Sequence, residues 1–322
     1  MPLREQGSPE GEQGMADSAH ERAEGQQRDA EGTHVAARRG ATFRRRELGK
    51  ELRRLREKCG LTIDEVAEGL GFSETKLGRV ETGHNALPRV KDMEALLDRY
   101  GIADIDDRES LLTLHRESLS SDWWTPYRAV MPSGMPMWVG LEADARAMRA
   151  WHSQLVFGLL QTESYARAMF LTAKPVEETT TEFVEYNVRV RMERQQIITR
   201  EDSPVELRVV LDESALRRVI GSPEVMREQY EAIAELSRRD NLTVQILPQS
   251  LATYRAEGNF IVLDFDGHVG SVVQMDLPTT VSVTDKEREV WQHNRRFDAM
   301  REGALAPAET VRFLEQLARE LD

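Results

Sequence analysis

Residues 61–83, LTIDEVAEGLGFSETKLGRVETG, restrict the possible folds more than any other stretch of the chain. Two apolar-periodic segments meet at a glycine, each too short to hold a helix alone, so they must pack on one another and on neighbours. Thr62 followed by Glu65 is a capping-box pattern that starts one helix. Val66, Ala67 and Leu70 form its inner face, and Gly71 supplies the positive φ of a tight turn. Ser73 is the N-cap of the next helix, Leu77 and Val80 bury it, and Gly83 ends it. Upstream, residues 44–59 read as a helix with Leu48, Leu52 and Leu55 on one stripe, stopped at Gly60. Downstream, Pro88 precedes a helix whose inner stripe includes Met93, Leu96, Leu97 and Tyr100. The expectation is a mainly α, five-helix N-terminal domain over residues 41–103.

The outward face of the third of these helices suggests what the domain meets. At about 100° per residue, with Leu77 and Val80 inward, Thr75, Gly78, Arg79 and Thr82 point out, flanked by Glu74 and Lys76. A small, polar and cationic surface on a short second helix suits the DNA major groove. Glu74, Thr75, Lys76 and Arg79 are therefore candidates for base contacts, and Arg53 and Arg54 for the phosphate backbone. The alternative is a helical hairpin with no DNA role. Charge is distributed in favour of the first reading. The chain carries a net −13, yet residues 43–100 hold 13 basic and 11 acidic side chains, whereas residues 101–322 hold 25 and 37. The segment RRRELGKELRRLREK alone has 8 basic and 3 acidic residues, a local electrostatic footprint on an acidic protein.

The stretch LRRLREKCGLTIDEVAEGLGFSETKLGRVETG resembles the lambda-repressor-like (xenobiotic-response-element) helix-turn-helix family. Ala67, Gly71, Ser73 and Val80-Glu81-Thr82-Gly83 stand where that family has its helix alanine, turn glycine, cap and closing Val-Glu-x-Gly. The resemblance implies that a recognition helix starts at Ser73, Glu74, Thr75 and Lys76, that Arg79 faces DNA, and that Glu81 is structural. Many members have serine where this chain has Gly78.

The rest of the chain mixes helices and strands. Residues 103–140 read as a helix and a junction, SDWWTPYRAVMPSGMPMWVG, whose aromatics pack the two parts together or line a ligand pocket. GLEADARAMRAWHS, TESYARAMFLTA (capped by Thr162), TTTEFVEYNVRVRMERQQIIT and SPEVMREQYEAIAELSRRD, with Pro223 at its first position, read as helices. PVELRVVLD, LTVQILP, NFIVLDF and VGSVVQM read as strands, the last two joined by a type I′-like turn at Asp266-Gly267. Two helices broken near GALAPAE close the chain. This order suggests an α+β C-terminal domain over 138–322, with residues 104–137 as helix and junction. GLLQTESYARA, RMERQ, LDESALRR and VQILP resemble the C-terminal domain of a large actinobacterial regulator family, a conserved antitoxin-like domain of unknown function that follows a lambda-repressor-like head. That resemblance implies regulation, not a reaction, and a small partner protein encoded nearby. It weakens after Val273, where Gln274-Met275-Asp276 replaces a Tyr-x-Glu-like segment.

Several function classes lack their residues. The single cysteine, Cys59, excludes a disulfide framework and a multi-thiolate zinc site and fits a reducing cytoplasm. No apolar run approaches the roughly 18 residues of a membrane span. Residues 1–40 carry no signal-peptide pattern and read as a disordered tail. SETK matches a penicillin-binding Ser-x-x-Lys but without its companion motifs. Asp264, Asp266 and His268 fail EF-hand spacing and read as strand and turn residues. Arg191 and Arg194 read as a solvated face or an internal ion pair, with anion binding the alternative. The expectation is a cytoplasmic, non-enzymatic, cofactor-free transcriptional regulator that binds double-stranded DNA as a homodimer. Two alternatives stand beside it: an antitoxin-like protein that binds a small partner and autoregulates, and a small-molecule-sensing repressor.

Overall fold

The computed structural model describes residues 40–267, 269–276 and 280–321. The expected tail therefore lies outside the described residues, as does His268. An all-helical head leads into a body built on one mixed sheet.

In the head, α1 (Ala41–Lys58) buries Leu48, Leu52 and Leu55 and stops at Gly60. The short α2 (Ile63–Leu70) starts at the expected capping box: Thr62 Oγ1 accepts from Glu65 N at 3.2 Å and Glu65 Oε2 accepts from Thr62 N at 2.7 Å. Gly71 sits at φ 67° and ψ 31°, where a side chain would be strained, and this turns the chain into α3 (Glu74–Glu81). Ser73 Oγ accepts from Lys76 N at 3.1 Å. In α4 (Val90–Arg99), Met93, Leu96 and Leu97 point inward, with Tyr100 just beyond its end. Four helices lie within residues 41–103; the fifth, α5 (Ile105–Ser118), begins beyond them and packs along α1. It closes the head core with Leu111 and with His115, whose buried Nε2 donates to the Leu87 carbonyl at 2.6 Å.

A 3₁₀ turn at Thr125–Val130 leads to α6 (Met135–Ala143), which lies against α1 on one side and belongs to the body core on the other. There follow β1 (Ala147–His152), α7 (Glu163–Ala173), α8 (Thr181–Thr199), β2 (Glu206–Asp212), the short α9 (Glu213–Arg217), α10 (Pro223–Leu236), β3 (Leu242–Leu247), β4 (Phe260–Asp264), β5 (Val272–Asp276), β6 (Val281–Thr284), α11 (Glu287–Gly303) and α12 (Pro307–Glu320). The sheet order is β3-β2-β1-β4-β5-β6, parallel across β1, β2 and β3 and antiparallel from β1 outward through β6. Met148, Ala150, Val209 and Ile246 on one face pack under α6, α10 and α12, while Trp151, Val210, Phe260 and Val262 on the other meet Phe297 and Met300 of α11.

The α+β class is as expected, but the details differ in three places. GLEADARAMRAWHS is not a helix: α6 ends at Ala143, and β1 takes Ala147–His152 into the centre of the sheet. Its Ala, Met and Arg favour helix locally, but two neighbouring strands supply ladder partners on both sides, and tertiary pairing wins. The connection between β4 and β5 spans residues 265–271 rather than a two-residue turn. The four-residue edge strand β6 had no counterpart in the sequence reading.

His152 ends β1 in a buried position, its ring centroid 4.8 Å from that of Phe157. Burial pushes its imidazole down to about 4, reinforced by Arg191 and Arg194 and opposed by Asp276. A histidine in the unfolded chain titrates near 6.5. Between those two values the unfolded chain binds the extra proton, so this contribution is complete above about pH 6.5 and is lost as pH falls towards 4. The loss is expected to reach about 3 kcal/mol. Thermal melts of wild type and His152→Gln from pH 7.5 to 4.5 check it; the variant should show a shallower acid slope, and an identical slope would remove His152 as the cause.

Candidate nucleic-acid interface

The α2-turn-α3 unit is held from beneath by one buried ion pair. Arg56 Nε and Nη2 donate to Glu81 Oε1 and Oε2 at 2.7 and 3.0 Å, and Arg56 Nη1 donates to the Leu61 carbonyl at 2.8 Å. The pair fastens α1 to the last turn of α3 and to the residue leading into α2, so it fixes how α3 stands on the head. Glu81 therefore has the structural place the sequence suggested.

Along α3, Glu74, Thr75 and Arg79 are exposed, and Thr75 and Arg79 share one side of the helix. Ser73 is exposed too, but its hydroxyl is engaged in the cap. The Arg79 carbonyl accepts from Asn85 N at 3.1 Å, but its exposed guanidinium forms no hydrogen bond or ion pair among the described residues. Lys76 is less free: its Nζ lies 2.9 Å from Asp92 Oδ2 and 3.5 Å from the centroid of the Phe72 ring. A Cβ placed on Gly78 would meet nothing within 4 Å, so the small residue leaves open space on the outer face. Thr82 turns back on the helix, its Oγ1 donating to the Gly78 carbonyl at 2.9 Å.

The first-helix arginines are exposed but paired within their own helix. Arg53 Nε donates to Glu57 at 2.8 Å, and Arg54 reaches Glu51 at 2.5 and 2.8 Å. Hydrogen bonding to those glutamates raises both guanidinium values. Exposed pairs of this kind contribute little, so a phosphate can displace them. Arg53 and Arg54 lie beside the C-terminal end of α3, where a concavity also brings in Thr82, His84 and Lys50.

Sequence reading missed part of the basic surface. Arg46 and Lys50 of α1 sit 2.8 and 3.5 Å from Asp285 of the body, a contact no local pattern announces. Burial and the adjacent Arg46 hold the Lys50 amine below its ordinary value, against the pull of Asp285. Arg128, from the junction, joins Lys76, Arg79, His84 and Asn85 around a groove of about 890 Å³ between α3 and the junction. Burial, then Arg46 and Arg79, lowers the His84 imidazole.

Other motifs take ordinary structural places. Asp264 accepts from Arg149 and Ser271, and Asp266 pairs with Arg146. Among the described residues no group of three His, Cys, Asp or Glu stands ready to hold a metal, and no helix is long and apolar enough to cross a membrane.

A family model described as a helix-turn-helix domain matches residues 47–111. A second, described as a domain of unknown function (DUF5753), matches residues 136–316. Neither the curated proteins nor the solved structures yield a match.

Proposed function

Because the chain belongs to the DUF5753 family and carries a helix-turn-helix domain ahead of that domain, we propose that it is a sequence-specific DNA-binding transcriptional regulator controlled through its C-terminal domain. In this reading α3 enters the major groove. Thr75 and Arg79 face base edges, Glu74 and Lys76 flank them, and the Ser73 cap orients the helix start. Arg53 and Arg54 exchange their intrahelical glutamates for phosphates. The observation that carries the reading is Arg79: an exposed guanidinium with no partner among the described residues, on a helix whose pose is fixed by the buried Arg56–Glu81 pair. Lys76 must first leave Asp92 and Phe72, so it contributes less than Arg79. Such heads read two half-sites about 34 Å apart as dimers, and the homodimer contact is assigned to the domain after residue 103.

The test selects an operator from random duplexes and measures salt-dependent binding by three proteins. Arg79→Ala is expected to cost about 1–3 kcal/mol on the operator and to relax preference at one base pair. Arg53→Ala is expected to weaken operator and scrambled DNA alike and to reduce the salt slope by about one unit. If Arg79→Ala binds with wild-type affinity and base preference, α3 is not the reading helix.

A further inference from the structure

Arg191 was one of two arginines for which the sequence left anion binding open. Its neighbour on α8, Arg194, is fully committed, donating through Nε and Nη2 to Glu142 at 2.6 and 2.8 Å. Arg191 is not: it donates to the Gln161 amide oxygen at 2.7 Å but forms no ion pair among the described residues. Both arginines border a partly open cavity of about 170 Å³ in the body, lined by α6, the end of β1, α8 and β5 among others. Its apolar wall includes Trp138 and Phe157, each 1% exposed.

The polar part of the lining is unfinished. His152 Nε2, Gln274 Oε1 and Arg191 Nε are shielded from solvent and have no hydrogen-bond partner among the described residues. His152 and Gln274 are 8% and 3% exposed. Gln274 spends its Nε2 on Asp276, but buried polar atoms are ordinarily satisfied, and three unpartnered ones around one cavity are a specific departure. Burial, and then the like charge of Arg194, pushes the Arg191 guanidinium down to about 10, against the pull of Glu142 and of Asp276, which also borders the cavity. A carboxylate beside it would relieve both effects. The cavity has room for one small organic molecule, with an apolar wall at Trp138 and Phe157 and a cationic group at Arg191.

We propose that this cavity is a binding site for a small organic carboxylate with an apolar body, held by Arg191 and sensed through α6. The second half rests on the regulatory reading above. Trp138 of α6 walls the cavity, and Gly140 of the same helix lies against the head. A Cβ on Gly140 would fall 2.4 Å from Thr42 of α1, so the two helices touch with no slack. Just past α6, both Asp144 carboxylate oxygens accept from Gly40 N at 2.8 Å, tethering the start of α1. A ligand that shifts α6 must therefore move the helix that carries Arg53 and Arg54.

The experiment uses the full chain and needs no DNA for its first arm. Benzoate, phenylacetate and isovalerate are titrated by calorimetry and thermal shift, beside benzyl alcohol and benzylamine as uncharged and cationic counterparts. At least one carboxylate is expected to bind and raise Tm, with the alcohol and the amine at least tenfold weaker. Arg191→Gln should abolish that preference, and Arg191→Lys should retain part of it, each read against its own ligand-free Tm. Equal binding of acid and alcohol, or no binding by any of the three acids at 10-millimolar order, overturns the site. In the second arm, DNA affinity is compared with the cavity saturated and empty; the shift must be reciprocal, and no shift overturns the coupling through α6. A failure of Arg79→Ala to affect DNA binding would sink the groove assignment while leaving the first arm intact.

Discussion

Glu81→Ala is expected to unfold the head and abolish DNA binding while the body stays folded. Arg56 and Glu81 are 7% and 5% exposed and meet in a bidentate pair. Hydrogen bonding to Glu81 raises the Arg56 guanidinium, and an arginine keeps its charge near neutral pH even without such a partner. Arg56 would keep only the Leu61 carbonyl and the more distant Glu57 at 3.8 Å, and breaking a buried pair in this way costs up to about 3–5 kcal/mol, because the desolvation of the cation is no longer fully offset. A whole domain is typically stable by about 5–15 kcal/mol, and a small helical head sits low in that range. Hydrogen exchange should show lost protection at Leu52, Val66 and Leu77 with retained protection at Val209 and Val244. The double variant Arg56→Met/Glu81→Leu removes both charges and should recover most of the loss. Wild-type protection of the head in Glu81→Ala would show that the pair does not hold α3 in place.

How far the sequence could be read follows from where the signals lie. The head is written in short-range chemistry. Thr62 caps three residues ahead, Ser73 does the same, and Gly71 announces a turn only glycine takes without strain. Each signal is complete within one turn of chain, and each appears in the structure. The body depends on pairing across distance. β1 was misread because AMRAWH has helix-forming residues, and only β2 and β4 on either side make it a strand. The edge strand β6 is four residues long and half-buried, too brief for a period. On the candidate interface, the exposure of Thr75 and Arg79 followed from helical periodicity. The capture of Lys76 by Asp92 and the clamp of Asp285 on Arg46 and Lys50 did not, since each needs a partner placed by the fold. The cavity at Arg191 was legible only as an open alternative, because its walls come from helices and strands scattered through the body.

Glu142→Ala is expected to be the most damaging single change in the body, and its character should differ from an ordinary core defect. Glu142 and Arg194 are 1% and 7% exposed, joined by two short hydrogen bonds between α6 and α8. Removing the carboxylate leaves Arg194 uncompensated beside Arg191, whose own value is already depressed by burial and by Arg194. Breaking a buried pair costs about 3–5 kcal/mol, and the repulsion of two guanidiniums adds to it. For a domain of this size that corresponds to a fall in Tm of about 6–20 °C. The defect is a missing negative charge, so small anions should repair it in part: formate and acetate should raise the Tm of Glu142→Ala more than that of wild type, and chloride should do less. A void would respond to apolar solutes instead. The same change also loosens α6, the helix that bears on Thr42, so it should weaken DNA binding before the head itself melts. Melts of Glu142→Ala with and without formate, beside Arg194→Met/Glu142→Leu, separate the cases. A Tm within about 2 °C of wild type, or a loss that no anion repairs, would mean that the pair is not what joins α6 to the sheet domain.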